Sequence, residues 1–230
     1  MAFDFKKEYR DLYRAAKKPT VVAVPPMTYL TVRGSGDPNE EGGAYKQAVG
    51  ALYAVAYTIK MSKMGPHAIE GYLDFVVPPL EGFWWQPGRA GIDLSSKASF
   101  EWIAAIAMPD FVTPDVVSWA AGEAAAKKDV DASAVRLTTV DEGLCAQILH
   151  VGPYDDEPAT IAALDAFAAD EGYSLDMGDT NNARHHHEIY LSNPQRTAPE
   201  KLKTLIRHPI SAPVPASASA FSPAFAPEGD

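Results

Sequence analysis

The hydrophobic and polar positions of the sequence form a strand-like pattern followed by a helical pattern, twice along the chain. Residues 28–38 and 145–158 each contain a strand-like apolar run that ends in glycine and a turn. A helical repeat of apolar positions follows each turn. Its members recur three or four residues apart: Ala48, Leu52, Val55 and Ile59 in the first half, and Ile161, Leu164 and Ala168 in the second. The pattern therefore indicates an internal duplication.

A second pair of similar segments, residues 106–115 and 191–200, lies late in each half. Both carry prolines at the same two places, and in both an apolar run, a proline turn and a helix-start signal follow one another. We therefore predict an α+β protein with antiparallel sheets, built from two tandem strand–helix–strand–strand modules that are each followed by a further helix. Helices would cover one face of each sheet and the sister repeat the other, which places a ligand cleft between the repeats.

The predicted division of the chain has three parts. Residues 1–130 hold an N-terminal helix, the first repeat and an insertion that contains YLDFVVPPLEGFWW, and residues 131–212 hold the second repeat. Residues 213–230 are mainly Ser, Ala and Pro, with too few large apolar side chains to offset the entropy of ordering them. We expect a mobile tail there, the alternative being a segment docked through Phe221 and Phe225.

The overall charge narrows the classes of partner. The 230 residues include 20 Lys and Arg against 30 Asp and Glu, a net charge of −10, which argues against nucleic acid because a phosphate backbone requires a positive face. No apolar run approaches the roughly 20 residues that span a bilayer, and the N-terminus is charged where a signal peptide is apolar. The single cysteine excludes a disulfide framework. The sequence therefore predicts a cytoplasmic protein without nucleic-acid or membrane partners, and leaves its oligomeric state open.

The segment HHHEIYLSNP, residues 185–194, contains the most informative candidate residue. In a strand with period two, Ile189 shares one face with Leu191, while Glu188 shares the other with His186 and Tyr190. We expect the apolar pair to pack under the helices, which turns Glu188 toward the sister repeat. Burial there would raise the pKa of its carboxyl group. The alternative is an edge strand in which Glu188 is solvated or salt-bridged.

The three consecutive histidines raise the question of a metal site. A same-face pair from this strand supplies two ligands, and His150 could add a third, but structural zinc sites use four ligands and catalytic sites three. The sequence contains neither an HExxH motif nor a cysteine cluster. We therefore predict no metal ion and no cofactor.

Aromatic residues form the second candidate group. Tyr53 and Tyr57 lie one helical turn apart and share a face, Trp84 and Trp85 follow one another, and Trp102 begins the run that leads to a proline turn. Each ring taken alone is typical of a hydrophobic core. A carboxylate opposite several such rings, however, favours recognition of a cation or a flat polarised ring.

Several segments together resemble the GyrI-like small-molecule-binding family. They are FDFKKEYRDLY, VPPMTYLTVRGSGDPN, LYAVAYTIKM, PPLEGFWW, QILHVGPYDDEP, HHEIYLSNPQR and LKTLIRHPI. The likeness runs from residue 3 to about residue 210 and is strongest to the stand-alone bacterial branch, which includes hydrolases of cyclopropane-bearing alkylating compounds. It implies two modules related by a pseudo-two-fold axis with a ligand cleft between them. It also implies that Glu188 faces the ligand and that Trp84 or Trp85 forms an aromatic wall.

Two functions follow from these residues and from the resemblance. The first is an enzyme that hydrolyses electrophilic cyclopropane compounds, with Glu188 as general base and Tyr154 or Tyr190 donating to the developing oxyanion. The second is a non-catalytic protein that sequesters drugs or inhibits gyrase. A third, weaker interpretation is a haem or tetrapyrrole carrier ligated through His150 or His186. A transcription activator is disfavoured by the charge and because the eighteen residues before Pro19 are too few for a helix-turn-helix.

Overall fold

A mixed α+β architecture organises the chain around one large sheet. The computed structural model describes residues 2–14, 16–89, 91–128, 130–178 and 184–212, so the predicted tail at residues 213–230 lies outside the described part. Nine strands are described: β1 (Thr20–Val24), β2 (Met27–Ser35), β3 (Leu80–Trp85), β4 (Glu101–Ala107), β5 (Arg136–Val140), β6 (Gly143–Val151), β7 (Ser174–Leu175), β8 (His186–Tyr190) and β9 (Lys203–Ser211). The α-helices are α1 (Phe5–Glu8), α2 (Arg10–Tyr13), α3 (Ala44–Met61), α4 (Pro114–Lys128) and α5 (Glu157–Asp170).

The strand order confirms the predicted strand–helix–strand–strand modules. Eight strands pair in the order β1-β6-β9-β8-β3-β4-β2-β5, and β7 pairs with β9. The first module is β2-α3-β3-β4 and the second is β6-α5-β8-β9, and the antiparallel β3–β8 pair joins them at the centre. The order has the same form from either edge, as a two-fold arrangement requires, although the axis itself stays a prediction. The modules therefore meet edge to edge in one continuous sheet. The expectation that the sister repeat covers the other face of each sheet is wrong, because the N-terminal segment packs on that face.

Two features of the second module differ from the sequence prediction. Residues Pro199–Lys201 form one turn of 3-10 helix instead of starting a longer helix, because β9 begins only two residues later. The two proline segments that look alike also occupy different places. The first follows β4 and leads into α4, whereas the second follows β8 and leads into β9. Each predicted half of the chain also contributes one strand that pairs with a strand of the other half: β1 pairs with β6, and β5 pairs with β2.

Helices α3 and α5 lie on the same side of the sheet. The predicted apolar positions of α3 are buried against β2, β3 and β4, together with Trp84 and Trp102. On α5, Leu164 and Ala168 are buried against Ile206 of β9. Thr113, in the helix-start signal of residues 106–115, caps α4, with its Oγ1 accepting from the backbone N–H of Val116 at 3.3 Å. The central β3–β8 pair therefore lies between the two helices.

The N-terminal segment covers the opposite face of the sheet over a buried charge network. His187 lies between two carboxylates, with ring nitrogens 3.0 Å from Oε1 of Glu142 and 3.0 Å from Oε2 of Glu81. Tyr13 of α2 donates to Glu81 at 2.8 Å. Arg207 donates to Glu142 at 3.1 Å and to the carbonyl oxygen of Leu12 at 2.7 Å. The network therefore ties the N-terminal helices to the sheet.

The charged groups of this network shift one another's pKa values. Burial acts to raise the pKa of Glu142, but His187 and Arg207 outweigh it and bring that pKa to about 2. Burial acts to lower the pKa of His187, but the carboxylates of Glu142 and Glu81 outweigh it and raise that pKa. The Glu142 contribution to stability is therefore lost as pH falls from about 4.5 toward 2, and the His187 contribution is lost as pH rises through its raised pKa.

Replacement of Arg207 by Ala is expected to reduce the free energy of unfolding by about 3–5 kcal/mol, because the buried Glu142 carboxylate loses one of its two positively charged partners and the other, His187, is shared with Glu81. Urea unfolding at pH 7 measures the loss. Arg89→Ala is the control, since the ion pair of Arg89 with Asp93 is exposed and such pairs contribute about 0–1 kcal/mol. Equal, small losses in both variants would show that the network contributes little.

Candidate functional site

Glu188 lies on the sheet face that carries α3 and α5. Its register partners are Gly82 on β3 and Ile206 on β9, and Ile206 packs against α5. Ile189 points to the opposite face and packs beneath the N-terminal segment. The prediction that Ile189 and Leu191 pack under the long helices is therefore wrong, because the N-terminal segment supplies a second apolar layer. Alternation still separates Glu188 from Ile189, as predicted.

The two neighbours expected for Glu188 both bind its carboxylate. Nε2 of His186 lies 2.9 Å from Oε1, and the Tyr190 hydroxyl donates to Oε2 at 2.6 Å. Burial acts to raise the pKa of Glu188, but the hydrogen bonds and charge of these partners outweigh it and lower the pKa. The expected rise in pKa is therefore wrong, because hydrogen bonds to the ionised form decide its sign. Glu188 is ionised at neutral pH.

A second buried carboxyl group, Glu157, lies beside Glu188. It is the first residue of α5 and is 1% exposed. Burial and the negative charge of Glu188 raise the pKa of Glu157 to about 10. The sequence analysis missed this residue, because an acidic side chain in the first turn of a helix is commonly explained by the helix dipole. The pair holds one proton at neutral pH, on Glu157.

Four buried polar atoms near Glu188 have no partner at normal hydrogen-bond geometry within the described ranges, although Tyr45 interacts with Tyr190, and Glu157 with Glu188 and Thr204. They are the hydroxyl oxygen of Tyr45, Nε1 of Trp84, Oε1 of Glu157 and Oγ1 of Thr204. Buried polar groups are normally paired, so their concentration here marks a place where a polar ligand or water can bind. We refer to these four residues together with Tyr154, His186, Glu188 and Tyr190 as the Glu188 site.

Aromatic rings enclose this site from both modules. Tyr45 of α3 lies with its ring 5.0 Å from that of Trp84, and Tyr154 lies edge to face with Tyr190 at 5.8 Å. Burial raises the pKa of Tyr154 to about 12, so its hydroxyl keeps its proton at neutral pH. Tyr45 was not predicted, because its position one turn before the apolar repeat of α3 carries no distinguishing signal.

The structure brings only some of the predicted aromatic residues to Glu188. Trp85 points to the opposite face, where it stacks on His185 at 4.2 Å. Trp102 is 1% exposed in the core beneath α3. Tyr57 is 46% exposed and stacks on Tyr53, which is half-buried on the same helix. Of the predicted tryptophans, Trp84 lies beside Glu188, and Trp102 contacts the site through the ring of Tyr45, 5.1 Å away.

Comparison with known proteins identifies the family. Residues 17–211 match the model of the GyrI-like small molecule binding domain. The chain belongs to the GyrI-like family. The resemblance stated from the sequence motifs is therefore confirmed, and small-molecule binding is the general function of this domain. No protein of curated function matches the sequence significantly.

Solved structures resemble this chain to different degrees. A hydrolase from Listeria innocua is 46% identical, with 91% of this chain and 100% of that one covered and a TM-score of 0.81. An uncharacterized conserved protein from Listeria innocua is 48% identical over the same shares, with a TM-score of 0.84. The C-terminal domain of EcmrR is 13% identical over 85% of this chain and 98% of that one, with a TM-score of 0.54. That last likeness shows a shared fold.

The GyrI-like site is tightly packed. Glu188 is 7% exposed, and a cavity of only about 10 Å³ adjoins Trp84, Trp85 and His186. A larger cavity of about 300 Å³ lies elsewhere, between the N-terminal segment and residues 108–111. The carboxylate of Glu188 is therefore largely shielded from solvent.

The described part of this GyrI-like chain contains no group of three or more His, Cys, Asp or Glu side chains that could hold a metal ion. His150 contacts Thr160 at 2.8 Å and the carbonyl oxygen of Pro153 at 3.0 Å. Both ring nitrogens of His186 are also engaged, which disfavours either histidine as an iron ligand. Among the described helices, none has the length and hydropathy needed to cross a membrane.

Gly82 has no side chain and so leaves room for the indole of Trp84 and the hydroxyl of Tyr190 in this GyrI-like site. A Cβ atom at this position would lie 2.5 Å from Nε1 of Trp84 and 3.0 Å from the Tyr190 hydroxyl. Gly82→Ala is therefore expected to displace the indole, to cost about 1–3 kcal/mol of stability and to weaken binding of a planar aromatic ligand. Urea unfolding and a tryptophan-fluorescence titration measure the two effects.

Gly50→Ala is the matched control for this substitution. Gly50 lies on α3, and its Cβ would meet nothing within 4 Å, so alanine should stabilise the helix by about 0.5–1 kcal/mol and leave binding unchanged. Normal ligand binding by Gly82→Ala would show that the position of Trp84 is not required.

Proposed function

We propose that this GyrI-like protein binds planar, hydrophobic or cationic small molecules at the Glu188 site and hydrolyses electrophilic cyclopropane-type xenobiotics. The observation that carries the proposal is the pair of carboxyl groups at Glu157 and Glu188, whose pKa values are shifted in opposite directions. Two such groups supply one acid and one base at the same pH. The 46% identity to a Listeria innocua protein described as a hydrolase supports this class of reaction.

The two carboxyl groups have complementary tasks in the proposed reaction. Glu188 accepts a proton from water as the water oxygen bonds to a cyclopropane carbon, a step to which general base catalysis contributes about 10²–10⁴-fold. The breaking carbon–carbon bond sends its electron pair to a conjugated carbonyl oxygen, which Glu157 protonates. Glu188 then passes its proton to Glu157. One water molecule is added to the substrate, and both carboxyl groups return to their starting states.

The surrounding rings and donors suit an electrophile of this kind. Tyr45 and Trp84 offer aromatic surface to a planar ring system, and the free N–H of Trp84 offers a hydrogen bond to an oxygen of the ligand. Tyr154 keeps its proton and is a further donor to the developing oxyanion. Tyr190 donates to Glu188 and so orients the base. These groups support detoxification of flat, carbonyl-activated compounds.

A non-catalytic protein that sequesters drugs, or that binds and inhibits gyrase, is the second candidate. The observation that favours it is the burial of Glu188, whose side chain is almost enclosed, with 7% of the residue exposed. A site that closes over its ligand retains it by slow dissociation. Sequestration needs the same carboxylate and rings but no attacking water.

Incubation with an electrophilic cyclopropane conjugated to a carbonyl group tests the proposal. The expected product, analysed by mass spectrometry, has gained the mass of one water molecule, and it carries ¹⁸O when the reaction runs in labelled water. Heat-denatured protein is the control for spontaneous opening. Saturable quenching of tryptophan fluorescence without product would support sequestration and contradict hydrolysis.

A further inference from the structure

A continuous chain of hydrogen bonds connects Glu188 with a partly exposed carboxylate on α5. Oε1 of Glu188 lies 2.9 Å from Nε2 of His186, Nδ1 of His186 lies 2.7 Å from Nε2 of His208, and Nδ1 of His208 lies 2.6 Å from Oδ1 of Asp165. Both imidazole side chains are fully buried, whereas the side chain of Asp165 is 34% exposed. The chain thus runs from the candidate base to solvent across β8, β9 and α5.

The partners at each end determine where the protons of this chain lie. A carboxylate accepts hydrogen bonds, so His208 donates its Nδ1–H to Asp165. Burial lowers the pKa of His208, so this imidazole is neutral at pH 7 and its Nε2 accepts from Nδ1–H of His186. His186 therefore holds a proton on Nδ1. The remaining proton, between His186 and Glu188, lies on His186 whenever Glu188 is ionised, and His186 is then an imidazolium.

The other titratable groups that face Glu188 are uncharged at neutral pH, so they do not determine which carboxyl group of the pair is ionised. Glu157 of α5 faces Glu188 and is protonated at neutral pH. Tyr45, Tyr154 and Tyr190 also face it, and burial raises the pKa of each, so all three are neutral. Among the described residues, His186 is thus the cation in contact with Glu188, and the partners of His186 decide its charge.

We propose that His208 and Asp165 are positioning residues that fix the tautomer of His186 and thereby keep Glu188, not Glu157, as the ionised carboxylate of the pair. Asp165 orients His208 by accepting its Nδ1–H. His208 in turn accepts the hydrogen bond from Nδ1–H of His186, which keeps a proton on that nitrogen of His186. An imidazolium then faces Glu188, and its charge stabilises the carboxylate. The catalytic consequence rests on the proposed hydrolysis, whereas the effect on the charge of Glu188 does not.

Nitrogen NMR of the histidine side chains tests the proposal without any substrate. In the wild-type protein at pH 7, both ring nitrogens of His186 are expected to be protonated, and His208 is expected to be the neutral Nδ1–H tautomer. Single His→Gln variants assign the signals. A neutral His186 in the wild-type protein would overturn the proposal.

Asp165→Asn provides the second measurement. The asparagine amide can donate to Nδ1 of His208 and so reverses the direction of the chain, which leaves His186 neutral. We expect the His186 signals to change to a neutral tautomer, and the acid limb of the pH dependence of turnover to move up by about 1–3 pH units. Asp165→Glu should restore both. His208→Gln, which removes the imidazole, should likewise abolish the imidazolium signal of His186.

Two control substitutions separate this role from a general structural effect. Asp170 lies exposed on the same helix, and His67 stacks on Trp119 away from the chain. Asp170→Asn and His67→Gln should leave the His186 signals and the pH dependence unchanged. Unchanged His186 signals in Asp165→Asn would overturn the proposal. Expected signals in a wild-type protein that opens no cyclopropane would instead contradict the hydrolase assignment and leave the charge-setting role intact.

Discussion

Glu188→Gln is expected to lower turnover of an electrophilic cyclopropane by about 10²-fold or more while the ligand still binds. Glutamine keeps the shape of the side chain and can accept the hydrogen bond from Tyr190, but it cannot take a proton from water. It also removes the negative charge that acts on Glu157, so the pKa of Glu157 should fall from about 10. Single-turnover kinetics and a fluorescence titration on the same variant separate chemistry from binding.

Glu171→Gln is the matched control for the Glu188 substitution, because Glu171 is exposed just after α5. It should leave turnover and binding unchanged. If the protein only sequesters ligands, Glu188→Gln should bind neutral ligands normally and cationic ligands more weakly. Loss of folding in Glu188→Gln would contradict a functional assignment and make Glu188 a structural partner of His186.

Glu157→Gln is expected to stabilise the protein at neutral pH and to do so increasingly as pH rises. The folded-state pKa of about 10 lies above the ordinary value of 4.5, so folding requires Glu157 to take up a proton anywhere between these values. The contribution of Glu157 is fully present below about pH 4.5 and is lost progressively up to about pH 10. At pH 7 the proton uptake by Glu157 lowers the free energy of unfolding by about 3 kcal/mol. The amide of a glutamine side chain takes up no proton and does not cause this loss.

Thermal unfolding at several pH values measures this effect. We expect Glu157→Gln to raise the melting temperature by roughly 6–12 °C at pH 7, to gain more at pH 9 and to match the wild-type protein near pH 4. Glu171→Gln again serves as the control and should show no such pH dependence. The same Glu157 variant should lose turnover if Glu157 is the acid. A melting temperature at pH 9 no higher than that of the wild-type protein would show that the pKa of Glu157 is not raised in the folded protein.

The local neighbours of Glu188 could be predicted because they follow from strand geometry alone. Side chains two residues apart in a strand lie on one face, so a strand at residues 186–190 places His186 and Tyr190 beside Glu188. The amphipathic repeat of α3 and the strand–helix–strand–strand order were predictable for the same reason, since each is a periodic pattern within one segment. The family motifs PLEGFWW and HHEIYLSNP added the general function.

The relation of Glu188 to the rest of the molecule depended on contacts between distant segments. The face on which Ile189 packs is set by the N-terminal segment, and the direction of the Glu188 pKa shift is set by hydrogen bonds that no periodicity encodes. Trp84 and Trp85 are adjacent in sequence, yet alternation sends one into the site and the other to the opposite face. Which of them does so follows from the pairing of β3 with β8.

The sequence by itself determined the fold class, the family, and the grouping of Glu188 with its two strand neighbours, because each depends on short-range geometry or on recognisable motifs. Only the tertiary structure decided which second carboxyl group lies beside Glu188. Glu157, Tyr45, Thr204 and the His208–Asp165 pair come from three other elements, α5, α3 and β9. The joining of the two modules at β3 and β8, with α3 and α5 packed on the same face, brings them to Glu188. Burial in that shared environment, which sequence spacing does not reveal, separates the pKa values of two otherwise identical carboxyl groups.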